Sequence, residues 1–247
     1  MSQENKSYIP GKSGYSNRSI AFRVAEAYKM IRTNLLFTLA NASSKIVVFS
    51  SAEPGAGKST LCSNLAIVMA QTGAKVLLID ADMRKPVQHR NFRVSKTLGL
   101  SKILGNLNSF EECIQHDVTL NLDLIPSGSI PPNPSELLGS ERMKKLLAQV
   151  EEHYDYVFID SPPLGVVADA LVIAPQSAGV VLVARQKQTI YDELEKCIDS
   201  IKQIDATMLG VVVTDVRSDT AGYMRYDNKR YYRSYNFEYG RRQKSDD

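Results

Sequence analysis

The chain of 247 residues carries 30 Lys and Arg against 27 Asp and Glu, and 43% of it is hydrophobic. A chain of this length buries roughly 70–75% of its unfolded surface, enough for a core without covalent staples. Three dispersed cysteines (Cys62, Cys113, Cys197) and three histidines (His89, His116, His153) offer neither a disulfide framework nor metal-ligand spacing. No run approaches the ~18 apolar residues of a membrane span, and the polar start lacks the apolar stretch of a secretory signal, so the expected setting is a reducing cytosol.

In chain order, residues 1–18 are polar, contain Pro10, Gly11 and Gly14, and read as a flexible arm. Over 19–41, Val24, Tyr28, Ile31, Leu35 and Leu39 recur at helical spacing. Nearly continuous apolar runs at 46–50, 75–80, 122–126, 155–160, 179–184 and 208–214 read as strands covered on both faces. Helices are predicted at 58–72, ended by Gly73, and at 134–150, opened by Pro134 and Ser135. A further one is predicted over 189–204, with Thr189 and Asp192 as a capping pair and Ile190, Leu194, Ile198 and Ile201 facing inward. This alternation predicts an α/β fold: an open, mostly parallel sheet with helices on both faces, one domain over 19–216, and flexible arms at both ends.

The segment Ser50-Ser51-Ala52-Glu53-Pro54-Gly55-Ala56-Gly57-Lys58-Ser59-Thr60 follows a strand and opens a helix, which is the setting a phosphate-binding loop requires. Glycines let successive amides point at phosphate oxygens, and the helix N-terminus adds its dipole. Glu53, Pro54, Gly55, Ala56, Gly57, Lys58, Ser59 and Thr60 are the expected nucleotide-binding residues, with Lys58, read as a surface lysine, reaching the β- and γ-phosphates and Ser59 ligating Mg²⁺. Ala52 stands where the strict pattern has glycine, and a chance turn is the plain alternative. Asp80 and Asp82 end a second strand, within Leu77-Leu78-Ile79-Asp80-Ala81-Asp82-Met83-Arg84-Lys85-Pro86, and Asp160 ends a third before Ser161-Pro162-Pro163. In a parallel sheet all three acids reach the edge that holds the phosphate loop, where they suit Mg²⁺. Each alone could be an ordinary polar turn.

These three motifs resemble the deviant-Walker P-loop ATPases, and more closely the bacterial tyrosine kinases of capsule and exopolysaccharide synthesis, over roughly residues 19–240. The segment Pro131-Pro132-Asn133-Pro134-Ser135-Glu136-Leu137-Leu138 and a terminal tyrosine cluster extend the resemblance. Related partition and cell-division-positioning ATPases have a lysine where this chain has Glu53, which argues against that branch. The kinase family tends to show Glu-x-x-Arg-x-x-Arg for subunit contact; here Glu26, Lys29 and Arg32 occupy those positions, and Lys29 lacks the planar fork of arginine. A solvated helix face with an i,i+3 pair is the plain reading of the same residues. The asparagine that contacts adenine in relatives is replaced by Thr214.

Residues 217–247 hold eight basic and five acidic residues, so the whole net charge of +3 lies there. They also hold Tyr223, Tyr226, Tyr231, Tyr232, Tyr235 and Tyr239. Nucleic-acid binding would use aromatic stacking with basic contacts, but +3 is a small electrostatic footprint and no nucleic-acid module precedes it. A tail that is itself the phosphorylation substrate fits better beside a γ-phosphate site, and if strand 208–214 runs parallel to the others the tail starts at that edge.

The sequence therefore predicts an ATP- and Mg²⁺-dependent protein-tyrosine kinase acting on its own six tail tyrosines. Ser59, Asp82 and Asp160 would place Mg²⁺, and Asp80 would accept the tyrosine proton, since a phenol of pKa ~10 is a poor nucleophile at neutral pH. Arg84 would pair with an acid or stabilise transferred charge. The resemblance further implies self-association as a ring, a transmembrane polysaccharide chain-length regulator as activator, protein tyrosine substrates, a cognate phosphatase, and a cytoplasmic location at the membrane through that partner. The alternatives are a P-loop ATPase switch that hydrolyses ATP without tyrosine transfer, and a nucleic-acid-binding ATPase.

Overall fold

The computed structural model describes residues 18–216. The arm expected over 1–18 lies, but for Arg18, outside the described residues, as does the tyrosine-rich tail over 217–247. A long helix α1 (Arg18–Leu39) leads into β1 (Ile46–Ser51), α2 (Lys58–Ala70) and β2 (Val76–Asp80). Three short helices follow, α3 (Gln88–Phe92), α4 (Leu100–Leu104) and α5 (Phe110–Cys113), then the hairpin β3 (Gln115–Thr119) and β4 (Leu122–Ile125). The second half runs α6 (Pro134–Leu138), α7 (Glu141–His153), β5 (Tyr156–Asp160), α8 (Asp169–Ile173), β6 (Gly179–Arg185), α9 (Tyr191–Gln203) and β7 (Met208–Thr214).

The seven strands form one sheet in the order β3-β4-β2-β5-β1-β6-β7. Every pairing is parallel except β3 with β4. All six residues of β1 are buried, as a strand covered on both faces requires. Alternation still sorts them: Ile46 and Val48 enter one core with α7, α8 and α9, whereas Val47 and Phe49 enter the other with α1 and α2. Helix α2 is buried almost all round, because α1 covers its outer side through Leu35 and Leu39.

All six expected strands form, and the hairpin adds an unexpected seventh; β7, expected to be covered on both faces, is instead an edge strand with Val211 and Val213 exposed. Residues 115–119 hold one apolar side chain, Val118, and are half-buried or exposed at the sheet edge, so no apolar run announces them. The helix predicted over 134–150 is two: α6 ends at Gly139, and Ser140 caps α7 by accepting from the Met143 amide at 3.3 Å. The expected Thr189–Asp192 capping pair is absent. The Thr189 hydroxyl instead accepts from the Arg185 amide at 2.6 Å, and Ile190 faces solvent.

The start of α4 is locked onto the end of β4, where the Leu100 and Ser101 amides donate to the carbonyls of Pro126 and Ser127 at 2.8 and 2.9 Å. A Cβ at Gly99 would stand 2.1 Å from the Pro126 oxygen and 2.5 Å from the Gly128 nitrogen, both backbone atoms that cannot swing aside. Gly99→Ala is therefore expected to destabilise the chain by about 1–3 kcal/mol or more, lowering the unfolding temperature by roughly 2–12 °C. A thermal melt coinciding with that of the unsubstituted chain would show that this junction is not close-packed.

Candidate active site

The chain leaves β1 into a loop in which Gly55 and Gly57 take φ values of 84° and 94°, and α2 begins at Lys58. Positive φ strains residues with a Cβ, and consecutive amides in this conformation at a helix N-terminus form an anion-binding nest. The loop is braced from β6 and β7. Arg185 Nη1 donates to the Gly55 carbonyl at 3.2 Å, Gln188 Nε2 to that of Pro54 at 3.4 Å, and Thr214 Oγ1 to that of Ala56 at 2.6 Å. The Glu53 side chain accepts from the Thr189 hydroxyl, so the residue that departs from the positioning ATPases serves as a latch for the loop. Ala56 is buried, Pro54 and Gly55 are exposed, and the Thr60 carbonyl accepts from Asn64 Nδ2 at 2.9 Å.

Lys58 is not the surface lysine the sequence implied; it is only 8% exposed. Its ammonium lies 3.1 Å from Ser59 Oγ, 3.2 Å from Asp82 Oδ2 and 3.1 Å from Asp160 Oδ1. Burial works against its charge, but the attraction of Asp160 and Asp82 outweighs it and holds the pKa above the usual lysine value. The three oxygens expected to hold Mg²⁺ thus converge on one point, and a cation already stands there. An all-oxygen set of one hydroxyl and two carboxylates fits Mg²⁺, which takes its remaining ligands from phosphate and water. Among the described residues no three His, Cys, Asp or Glu side chains form a ready-made cage.

Each acid has one oxygen held. Asp82 Oδ1 accepts from the Lys85 amide at 2.9 Å, and Asp160 Oδ2 from Gln88 Nε2 at 2.7 Å. Asp80 Oδ2 accepts from the amides of Val87 and Gln88 at 3.1 and 2.9 Å, while its Oδ1 is buried without a partner. Burial, reinforced by repulsion from Asp160, raises the Asp80 pKa to about 8.

Arg84 does not join this cluster. Its Nε and Nη2 clasp the buried carboxylate of Asp169 at 3.0 and 3.1 Å, and Nη2 also reaches Ser135 Oγ at 3.0 Å. Of the two roles expected for Arg84, the structure displays the acid pairing. The proline-rich segment thereby gains a physical role, because its Ser135 ties α6 to the loop after β2. Asp169 and Gln88 were not singled out by the sequence, and Ser135 was read only as a helix start and as part of the proline-rich segment: their partners lie up to 85 residues away, where no local pattern shows them. On α1, Glu26 and Lys29 pair at 2.8 Å on an exposed face, whereas Arg32 Nη1 turns inward to the Val68 carbonyl at 2.9 Å in the last turn of α2. None of these three is brought to the phosphate loop. The six tail tyrosines lie outside the described residues.

The raised Asp80 pKa makes a prediction for the ligand-free chain. The folded state keeps a proton that the unfolded chain releases near pH ~4, so this contribution to stability is full below that pH and is lost as pH rises through about 8. Asp80→Asn retains an acceptor for the two amides and cannot ionise. Its stability relative to the unsubstituted chain should rise between pH 5 and 8 in urea unfolding without nucleotide or Mg²⁺; parallel profiles would show that Asp80 is not held protonated.

Comparison with known proteins agrees with this site. The AAA domain family model matches residues 44–211. Tyrosine-protein kinase YwqD of Bacillus subtilis is 41% identical over 189 residues, covering 76% of this chain and 80% of that protein. Tyrosine-protein kinase wzc of Salmonella typhimurium is 36% identical over 201 residues, covering 81% of this chain but only 28% of the longer relative. The kinase domain of Escherichia coli tyrosine kinase ETK superposes with a TM-score of 0.74 at 36% identity, covering 78% of this chain and 77% of that one. With its glycine nest, its buried lysine and acids at adjacent strand ends, and these likenesses, the chain belongs to the bacterial tyrosine-protein kinases and is a P-loop protein-tyrosine kinase.

Proposed function

We propose that the chain uses Mg·ATP to phosphorylate tyrosines of its own C-terminal cluster, Tyr223, Tyr226, Tyr231, Tyr232, Tyr235 and Tyr239, and those of other proteins. The observation that carries this reading is the convergence of Ser59, Asp82 and Asp160 on the Lys58 ammonium at the mouth of the glycine nest. The amides of residues 55–60 bind the triphosphate, and Lys58 leaves the acids for the β- and γ-phosphates. Ser59, Asp82 and Asp160 would hold Mg²⁺, which when bound would neutralise charge on the phosphates. Most of the rate enhancement comes from such positioning and neutralisation.

Asp80 is the general base. Its Oδ1 has no other partner, and an aspartate whose pKa stands at about 8 in the ligand-free chain is, once ionised, a stronger acceptor for the phenolic proton than an ordinary one. Oδ1 is sealed from solvent, so the phenol reaches it only after the surrounding residues shift. Transfer to the tail is supported by β7, which runs parallel to β6 and ends with Thr214 hydrogen-bonded to the phosphate loop. Arg84 holds the loop after β2 to α6 and α8 through Ser135 and Asp169 and so acts by position.

By resemblance to the capsule and exopolysaccharide kinases, the chain regulates polysaccharide synthesis and export and assembles as a ring. Glu26 and Lys29 supply the exposed part of its contact face, with Arg32 fixing α1 beneath them. A transmembrane chain-length regulator activates it at the inner membrane face, and a phosphatase resets it. No helix among the described residues is long and apolar enough to cross a membrane.

A mixing experiment tests the transfer. Lys58→Arg chains, which keep a positive charge among the acids, carry intact tails; active chains carry Phe at all six tail positions. With Mg·ATP, phosphotyrosine is expected on the Lys58→Arg tails, by transfer between chains, and on no tyrosine of that variant incubated alone. Undiminished phosphotyrosine on Lys58→Arg alone would remove the P-loop from the mechanism, and ATP hydrolysis by the unsubstituted chain with no phosphotyrosine would favour the ATPase switch.

A further inference from the structure

The side chain of Gln88 lies fully buried at the start of α3, in the midst of the site, with every hydrogen-bonding position of its amide used. Nε2 donates to Asp160 Oδ2 at 2.7 Å and to the Ser59 carbonyl at 3.1 Å. Oε1 accepts from Ser63 Oγ at 2.5 Å and from Asn91 Nδ2 at 3.0 Å. The orientation is fixed by chemistry. The Ser59 carbonyl can only accept and the Asn91 amide nitrogen can only donate, so a flipped glutamine would set like against like on both sides. The same residue's backbone amide holds Asp80 Oδ2 at 2.9 Å.

We infer that Gln88 is a positioning residue for the metal: it ties the Asp160 carboxylate to the first turn of α2, so that Oδ1 and not Oδ2 faces the cation point between Ser59 and Asp82. The terminal torsion of an aspartate is broad, so without such a tie either oxygen of the carboxylate can turn toward the cation. The Gln88 bond takes Oδ2 out of that choice, and its second N–H sets Asp160 against the residue whose hydroxyl is the other ligand. One amide thereby fixes the spacing of two ligands supplied by different elements, β5 and α2. Removing it leaves the buried Asp160 Oδ2 without its donor, at a site where desolvation is costly. This inference rests on the assignment of Ser59, Asp82 and Asp160 to Mg²⁺.

The test follows binding of a fluorescent ADP to the full chain, without Mg²⁺ and over a Mg²⁺ titration, with unfolding temperatures alongside. Gln88→Met keeps the reach of the side chain and removes both donors. It should raise the Mg²⁺ concentration for half-saturation by ~10–100-fold, the usual effect of losing an outer-shell partner, while Mg²⁺-free ADP binding stays unchanged. Gln88→Leu, which likewise removes both donors and adds no charge, carries the same expectation if the Met variant does not fold. Asn91→Ala removes a donor to Oε1 and leaves both Nε2 bonds in place, so it should lower the unfolding temperature without moving the Mg²⁺ titration. An unshifted titration in the Gln88 variants, or an equal shift in Asn91→Ala, would overturn the inference while leaving the metal site intact. Asp160→Asn is the control for that site: an unshifted titration there would overturn the site assignment and the inference together.

Discussion

One buried ion cluster constrains the whole active edge of the sheet. Asp80 and Asp160 stand directly side by side at the ends of neighbouring parallel strands β2 and β5. Like charges so placed repel, and neither is exposed to water. The third strand of this central group, β1, delivers the counter-charge through the loop that starts α2, and Lys58 bridges Asp160 to Asp82. The strand order β2-β5-β1 is thus what makes the charge arrangement possible: it sets the two acid-bearing ends and the lysine-bearing loop next to one another. The excess negative charge is met in part by the raised pKa of Asp80.

This arrangement turns nucleotide binding into an exchange. The lysine proposed to meet the phosphates already has partners, and the acids proposed to meet Mg²⁺ already have a cation. In the proposed reaction, binding of Mg·ATP would replace one neutralised set of charges by another, leaving little uncompensated charge buried. Rigid surroundings make the exchange specific. The loop from β6 to α9 and the end of β7 hold the glycine nest from one side through Glu53, Pro54, Gly55 and Ala56. On the other side Arg84 clasps Asp169 and Ser135, fixing the loop that carries Asp82.

What the sequence disclosed and what it hid divide along a physical line. The phosphate loop, the Asp80–Asp82 pair and Asp160 were legible because each combines a local chemical pattern with a strand end, and a parallel sheet brings such ends to one edge. Six strands were legible from their apolar runs, although the edge strand β7 has none of its residues buried. Strand β3 was not, because an edge strand whose one apolar residue is Val118 has no hydrophobic signature. The break between α6 and α7 was written in Gly139 and Ser140, yet apolar spacing continues across it and masked the stop. Thr189 has the composition of a helix cap, but a tertiary acceptor, Glu53, claims its hydroxyl. The burial of Lys58, the acid partner of Arg84 and the role of Gln88 all depend on residues distant in sequence, which no short window contains.

The central claim is that Lys58 is the counter-charge that lets these acids share one buried site. Equilibrium unfolding of the ligand-free Lys58→Met chain tests it most directly, because methionine keeps the stem and removes the charge. Breaking a buried pair in this way should cost about 3–5 kcal/mol, and adding Asp160→Asn to the same chain should restore part of the loss. A Lys58→Met chain as stable as the unsubstituted protein would contradict the account.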